Sequence, residues 1–295
     1  MNKKKILLIG SNGFFGRNFY NVLKKNFYVK RANRKTKIFK LDFEKFDFII
    51  NCAAEVYKEK LMFKNNTVLV FKIVKKYLSD NSSAKIIHFG SSGEYGRYGR
   101  PTSETDSLKP TTSYEATKGA ATLLLQGLSR NFNIPSIILR PYSIYGPMEN
   151  ASRLIPTIFR HFLFNENLKI YNGYHDFVYI DDVSDIILDI CKRDWKDKYC
   201  GEIINIGSGR QYSNYEVLKI CEKVVKKKSC AKLNKGFQRK YDNHKWLANT
   251  SKMKKFRINV KTNLEDGIKK YWKNILKNKP KQMLYKKITY FQKMH

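Results

Sequence analysis

The feature that most constrains this chain lies near its start. Lys5-Ile6-Leu7-Leu8-Ile9 is a short apolar run, and Gly10-Ser11-Asn12-Gly13-Phe14-Phe15-Gly16 follows it without a gap. An apolar run of this length suits a strand buried on both faces of a parallel sheet. A helix-like run, Arg17 to Lys25, comes next. Strand, glycine turn and helix in that order is the context that a dinucleotide site requires. Glycines let the backbone approach a pyrophosphate, and a helix N-terminus offers it unpaired N–H groups. The spacing is G-x-x-G-x-x-G, so Gly10, Asn12, Gly13, Phe14, Phe15 and Gly16 are candidate cofactor contacts.

Strands and helices go on alternating. Phe27-Tyr28-Val29 reads as a second strand, and Phe46-Asp47-Phe48-Ile49-Ile50 as another, with little room for a full helix between them. Thr67 to Leu78 is apolar at helical spacing, and Lys85-Ile86-Ile87-His88-Phe89 and Ser136-Ile137-Ile138-Leu139-Arg140 are further strands. This alternation predicts an α/β fold with a doubly wound parallel sheet. Past Pro147 the pattern loosens. Asp176 to Ile180 reads as a strand leading into a helix capped by Asp181 or Asp182. Glu202 to Ile206 reads as one more strand.

Open α/β sheets keep their ligands at the C-terminal ends of the strands. Asn51-Cys52-Ala53-Ala54 ends one strand in small residues, which let a backbone approach a ligand, so Ala53 and Ala54 are candidate contacts. Ser91 and Ser92 follow the strand ending at Phe89. Ordinary turn chemistry is the alternative reading for both serines. After the second strand an acidic residue often holds the ribose 2′-hydroxyl of NAD, but here Arg31-Ala32-Asn33-Arg34-Lys35 stands in its place. A basic end suits a 2′-phosphate, which favours NADP(H) with Arg34 as its contact and keeps NAD(H) possible. Surface charge in a basic protein is the alternative. Asp42 is the next acid and a candidate for the adenine or ribose.

Tyr114 and Lys118 stand four apart at the start of a helix-like run, Ala116 to Phe132. On a helix that spacing stacks the two side chains on one face. A free phenol titrates near pH ~10, and a neighbouring ammonium lowers that value. The pair is therefore a candidate acid/base for a hydroxyl proton. Chance is the competing explanation, because the chain holds 19 Tyr and many Lys.

Composition narrows the classes. The sequence contains no apolar run long enough for a membrane span. The short apolar stretch at the start runs straight into glycines, which reads as a first strand rather than a leader and predicts a cytoplasmic protein. Five scattered cysteines without a C-x-x-C argue against a disulfide frame or a zinc site, so no metal is expected. The net charge of +33 comes from Lys and Arg spread along the whole chain, without a compact basic block. A nucleic-acid surface is therefore not expected, although a positive field draws in an anionic substrate.

The motifs fall in an order that resembles the extended short-chain dehydrogenase/reductases, in particular the nucleotide-sugar epimerase/dehydratase/reductase group. The matches are Gly10-x-x-Gly13-x-x-Gly16, Asp42, Asn51 to Ala54, Ser91-Ser92-x-x-Tyr95-Gly96, Tyr114-x-x-x-Lys118, Arg140-Pro141-x-x-x-Tyr145-Gly146-Pro147, Asp176 to Val183, Asn205-x-Gly207-Ser208-Gly209 and Asn249-Thr250-Ser251-Lys252. The resemblance implies a Rossmann domain over 1–165 plus roughly 177–206. It implies a smaller, partly discontinuous C-terminal α/β domain for a nucleoside diphosphate sugar over 166–176 and 207–280, followed by a basic tail, 281–295. It implies that Tyr114 exchanges a sugar proton, usually at C4. Lys118 would lower the Tyr114 pKa and hold the nicotinamide ribose, and Ser91 would bond the same sugar oxygen. Pro141 would line the cofactor. Ser92, Arg153 and Arg239 would contact the substrate, the arginines by gripping its diphosphate. A homodimer through the helix bearing Tyr114 is also implied.

One departure helps to choose the reaction. The 4,6-dehydratases of the group carry Thr-Asp-Glu where this chain has Ser91-Ser92-Gly93, so the acid and base of water elimination are missing. The fucose-nucleotide epimerase-reductases carry Ser-Ser-Cys there, which puts extra epimerisation in doubt. The expectation is NADPH-dependent reduction of an NDP-4-keto-6-deoxy sugar. NAD-dependent NDP-hexose 4-epimerisation is the alternative, and a non-catalytic sugar-nucleotide binder a third class.

Overall fold

The computed structural model describes residues 3–195, 199–237, 245–278 and 284. The first strand is β1 (Lys5–Ile9), followed by α1 (Phe14–Leu23), β2 (Tyr28–Ala32), β3 (Phe48–Asn51), α2 (Glu59–Met62), α3 (Leu69–Ser79), β4 (Lys85–Phe89), α4 (Ser113–Asn131) and β5 (Ser136–Pro141). Then come β6 (Ser143–Tyr145), α5 (Leu154–Phe164), β7 (Lys169–Asn172), β8 (Tyr174–Tyr179), α6 (Ile180–Lys192) and β9 (Cys200–Ile206). The remaining described elements are β10 (Gln211–Ser213), α7 (Asn214–Val225), β11 (Lys232–Phe237), α8 (Ser251–Lys255) and α9 (Leu264–Lys277).

Six strands form one sheet in the order β2-β1-β3-β4-β5-β9, with every pairing parallel. Both faces are covered. Along β1, Ile6 and Leu8 pack into the core on the side of α1 and α6, while Leu7 and Ile9 pack with α3 and α4 residues such as Ile73 and Leu125. The period of two explains how one unbroken apolar run serves two cores. The strand order reverses between β1 and β3, which is where open α/β sheets form their ligand crevice.

Two small sheets stand beyond β5. One has the order β10-β8-β6 and the other pairs β11 with β7. Buried Asp176 on β8 ties this region together, accepting from Ser208 N–H at 2.7 Å, Gly209 N–H at 3.0 Å and Ala248 N–H at 3.2 Å.

Several elements differ from expectation at their ends. Helix α1 starts at Phe14, not Arg17, so Phe14, Phe15 and Gly16 form its first turn. Helix α4 starts at Ser113 behind the Thr112 cap, whose capping box with Glu115 was the missed start signal. Asp181 and Asp182 are not caps: Tyr179 holds that position and caps with no side chain. Asp182 instead accepts from the Thr262 N–H and hydroxyl, both at 2.8 Å, which anchors the approach to α9. Between β2 and β3 a single 3-10 turn, Ile38–Lys40, replaces a helix. Residues 281–283 and 285–295 of the basic tail lie outside the described residues.

Candidate active site

The glycine turn is closed by contact, not by chance composition. Gly10 has φ +86°, and a Cβ there would lie 2.6 Å from Ala53 N. A Cβ on Gly16 would lie 2.3 Å from the Gly10 carbonyl oxygen. The ends of β1 and β3 therefore meet over the first turn of α1 only because these positions lack side chains. Gly13 is the N-cap of α1 and caps with no side chain, so this helix opens on bare backbone donors. Gly10 N–H and Ser11 N–H are tied to the Ala32 carbonyl, which holds the end of β2 beside the turn.

These residues fit a dinucleotide. The cradle is filled by any Cβ, and its uncapped helix start suits a pyrophosphate. Asn12 is exposed and takes a 3.0 Å bond from Arg31 Nη2; Phe14 and Phe15 are half-buried. Ala53 lies against Gly10, Ala54 is exposed beside it, and Pro141 ends β5 at the same sheet edge.

Arg34 and Asp42 are placed otherwise than the sequence suggests. The Arg34 guanidinium is not free at the end of β2: its Nη2 donates to Glu55 at 2.8 Å. Asp42 is exposed and pairs with Lys45. Its neighbour Phe43 is tied to Asp80 and Ser82, just before β4 begins, so the segment has already run down to the strand-start edge. The two strands run parallel, so the connection has to return from the end of β2 to the start of β3, and Asp42 falls late in it.

Ser91, Tyr114 and Lys118 do come together. Ser91 caps the 3-10 turn Ser92–Tyr95, and its hydroxyl lies near enough to Tyr114 to favour the phenolate. Glu94 holds this turn from beneath. Its carboxylate accepts from Ser91 N–H at 2.7 Å, Thr122 Oγ1 at 3.0 Å and Arg140 Nε at 2.7 Å. Arg140 lies 4.6 Å over the Tyr95 ring, and the Tyr95 hydroxyl donates to Asn205 at 2.7 Å. Ser92 is buried in the same turn. The sequence reading missed Glu94; its signal was the Ser-x-x-Glu capping box starting at Ser91.

Tyr114 is half-buried and its pKa is raised, chiefly by burial, with the Ser91 bond and Arg153 opposing. The Lys118 ammonium is buried and donates to the Phe89 carbonyl. Burial brings Lys118 down to about 8, against the pull of Glu94 and Cys52. Without ligand, Tyr114 is therefore a neutral phenol and Lys118 a weakened cation. Arg153, the exposed N-cap of α5, does act on Tyr114, which brings its charge to this site. It also opposes the rise of buried Glu149, which burial pushes up to about 8. Arg239 lies outside the described residues.

Among the described residues, no group of three or more His, Cys, Asp or Glu side chains could hold a metal ion. No described helix is long and apolar enough to cross a membrane.

Comparison with known proteins agrees with this architecture. Residues 6–207 match the NAD dependent epimerase/dehydratase family. A dTDP-D-glucose 4,6-dehydratase of Dictyostelium discoideum is 27% identical over 199 residues, covering 60% of this chain and 44% of that relative. The chain thus spans less than half the length of that relative. Among solved structures, UDP-glucuronic acid 4-epimerase from Bacillus cereus, in complex with UDP-glucuronic acid and NAD, superposes with a TM-score of 0.82 at 22% identity, over 92% of this chain and 99% of that one. UDP-N-acetylglucosamine 4-epimerase from Methanobrevibacter ruminantium gives 0.83 at 20% identity, over 94% and 99%. At these identities the structures speak for the fold, a Rossmann sheet with a C-terminal extension. The match over residues 6–207, on the glycine turn and the Ser91–Tyr114–Lys118 cluster just described, makes this chain a member of the NAD dependent epimerase/dehydratase family.

Proposed function

We propose that this chain performs redox chemistry at one carbon of a nucleoside diphosphate sugar, most simply as an NAD-dependent 4-epimerase. The observation that carries the reading is the convergence of Ser91, Tyr114 and Lys118 beside the glycine turn with no carboxylate at positions 92 and 93. Gly93 has no room for one: a Cβ there would lie 2.9 Å from Glu115 Cγ and 3.2 Å from Ser91 Oγ. Water elimination needs an acid and a base in addition to the tyrosine, and Ser92 and Gly93 supply neither.

A bound nicotinamide dinucleotide supplies the hydride acceptor and donor. The chain's own part is positional and protonic. Ser91 Oγ bonds the reacting sugar oxygen and fixes its distance to the Tyr114 hydroxyl. Tyr114, a phenol in the ligand-free chain, gives its proton to that oxygen when the carbon is reduced and takes it back when the carbon is oxidised. The Ser91 bond and the Arg153 charge both favour the phenolate needed for the oxidation, which in an epimerase comes first. Lys118 holds the ribose of the dinucleotide. Arg153 and Arg239 hold the diphosphate, and the sugar nucleotide lies between the 1–165/177–206 unit and the 166–176/207–280 unit. We also propose a homodimer through α4, where Leu123 is a large exposed apolar side chain.

NADPH-dependent reduction of an NDP-4-keto-6-deoxy sugar is the second reading. It is favoured by the phenol form of Tyr114, ready to protonate a carbonyl oxygen, and by the basic end of β2. Pairing of Arg34 with Glu55 weighs the other way. Purified protein is incubated with UDP- and dTDP-hexoses without added cofactor, and separately with NADPH and an NDP-4-keto-6-deoxy sugar. Interconversion of C4 epimers supports the first reading. NADPH oxidation without any interconversion replaces it with the second.

A further inference from the structure

An acid belongs at the end of the second strand when the site selects NAD, because it bonds the ribose 2′-hydroxyl and repels a 2′-phosphate. Strand β2 ends in Arg31, Ala32, Asn33, Arg34 and Lys35, with no acid of its own. The next strand brings one. Glu55 follows Ala53 and Ala54 past the end of β3, close to where Ala53 meets Gly10. Its backbone is pinned by Asn66, whose Oδ1 accepts from Glu55 N–H at 2.7 Å and whose Nδ2 donates to the Glu55 carbonyl at 3.0 Å. Asn66 also donates to Thr117 Oγ1 at 3.0 Å, so Glu55 is fixed to the helix of Tyr114.

The side chain of Glu55 is 5% exposed, while that of Arg34, 2.8 Å away, is 72% exposed. Glu55 also accepts from Tyr57 N–H and Lys58 N–H, each at 3.2 Å. The carboxylate is thus rigid and the arginine is the movable partner. Arg31 is engaged as well, bonded to Asn12 and lying 4.7 Å over the Tyr20 ring. A 2′-phosphate at this end of β2 would have to take Arg34 from a fixed carboxylate and then sit beside that carboxylate.

We infer that Glu55 is the cofactor-selecting residue of this chain: supplied from the end of β3, it offsets Arg34 and sets the site for NAD over NADP. The inference rests on the dinucleotide site proposed above, and it deepens the choice of cofactor. Glu55 acts through charge at the ribose 2′ position and takes no part in the proton transfer. Arg34 is then a reserve cation, unmasked when the carboxylate is neutralised.

The test is direct binding of NAD+ and NADP+ to the purified chain, by calorimetry, with folding checked by circular dichroism. The wild-type chain is expected to bind NAD+ more tightly. Glu55→Gln keeps the shape and removes the charge, and it is expected to move the Kd ratio at least tenfold toward NADP+. Adding Arg34→Ala to Glu55→Gln is expected to abolish that shift, because the freed cation is gone. Arg34→Ala alone, at an exposed side chain, keeps the test alive if Glu55→Gln does not fold: it is expected to move the ratio toward NAD+. An unchanged ratio in a folded Glu55→Gln chain, or a wild-type preference for NADP+, overturns the inference. Binding of neither dinucleotide overturns it together with the site. A shifted ratio in a protein that converts no sugar nucleotide upholds Glu55 and removes the proposed reaction.

Discussion

Two arginine–carboxylate pairs stand at the ligand edge of the sheet, and they differ in nearly everything except length. Arg140–Glu94 spans 2.7 Å with side chains 2% and 0% exposed. Arg34–Glu55 spans 2.8 Å with 72% and 5%. In the first pair both charges have left water, so neither tolerates loss of the other. In the second, water screens the arginine, and the bond can be exchanged at little cost. The buried pair can therefore serve as a fixed support, and Glu94 uses it to hold the backbone of Ser91. The half-exposed pair can serve as a selector, because a ligand can compete for it. Distance alone would have made them equivalent.

That contrast can be broken at several points. The largest effect belongs to Tyr114, beside the serine that the buried pair positions. Tyr114→Phe is expected to lower kcat by about 10²- to 10⁴-fold, the usual worth of a placed acid/base. Dinucleotide affinity should stay within a few fold, measured by titration. Unchanged turnover would remove Tyr114 from the chemistry.

Cutting the buried pair comes next. Glu94→Ala leaves Arg140 uncompensated in the core and releases Ser91 N–H, at an expected cost of about 3–5 kcal/mol in a urea unfolding series. Arg34→Ala is expected to cost about 1 kcal/mol or less in the same series, since Glu55 keeps its two backbone donors. Similar losses for both variants would erase the distinction drawn from burial.

Lys118 adds a pH signature. Its folded pKa is depressed to about 8 from the ordinary 10.5. The folded chain therefore disfavours the proton that the unfolded chain keeps. That cost is fully present below pH ~8 and is relieved as pH rises toward ~10.5, so this residue makes stability increase across that window. Lys118→Met should flatten the contribution, read as the difference between wild-type and variant unfolding free energies at pH 7 and pH 10. A parallel offset at both values would mean that Lys118 is not a buried cation in the ligand-free chain.

The sequence carried much of this, because its signals were local. An apolar run leading into Gly10, Gly13 and Gly16 fixes a strand, a turn and a helix within a few residues, and backbone geometry permits little else there. Ser91, Tyr114 and Lys118 were legible as residue types at strand ends and helical spacing. What stayed hidden depends on contacts between distant segments. Arg34 looks free until Glu55, on another strand, reaches it. Tyr114 looks like a ready base until burial, which no local pattern shows, raises the phenol. Asp42 looks like a ribose ligand until its neighbour Phe43 is found tied to Asp80 and Ser82, just before β4. Glu94 was visible as a local capping residue, but its pairing with Arg140 across the sheet was not.

The proposed reaction moves one proton and one hydride at a single sugar carbon, with Tyr114 as its acid/base. Turnover in D2O, with the product read by proton NMR, separates it from reactions that use a second acid/base. Protons exchanged by Tyr114 sit on oxygen and wash out, while the hydride never meets solvent. The product is therefore predicted to carry no deuterium on any sugar carbon. Deuterium at C3 or C5 would show a second acid/base abstracting carbon-bound hydrogen, and would rule out a reaction confined to one carbon.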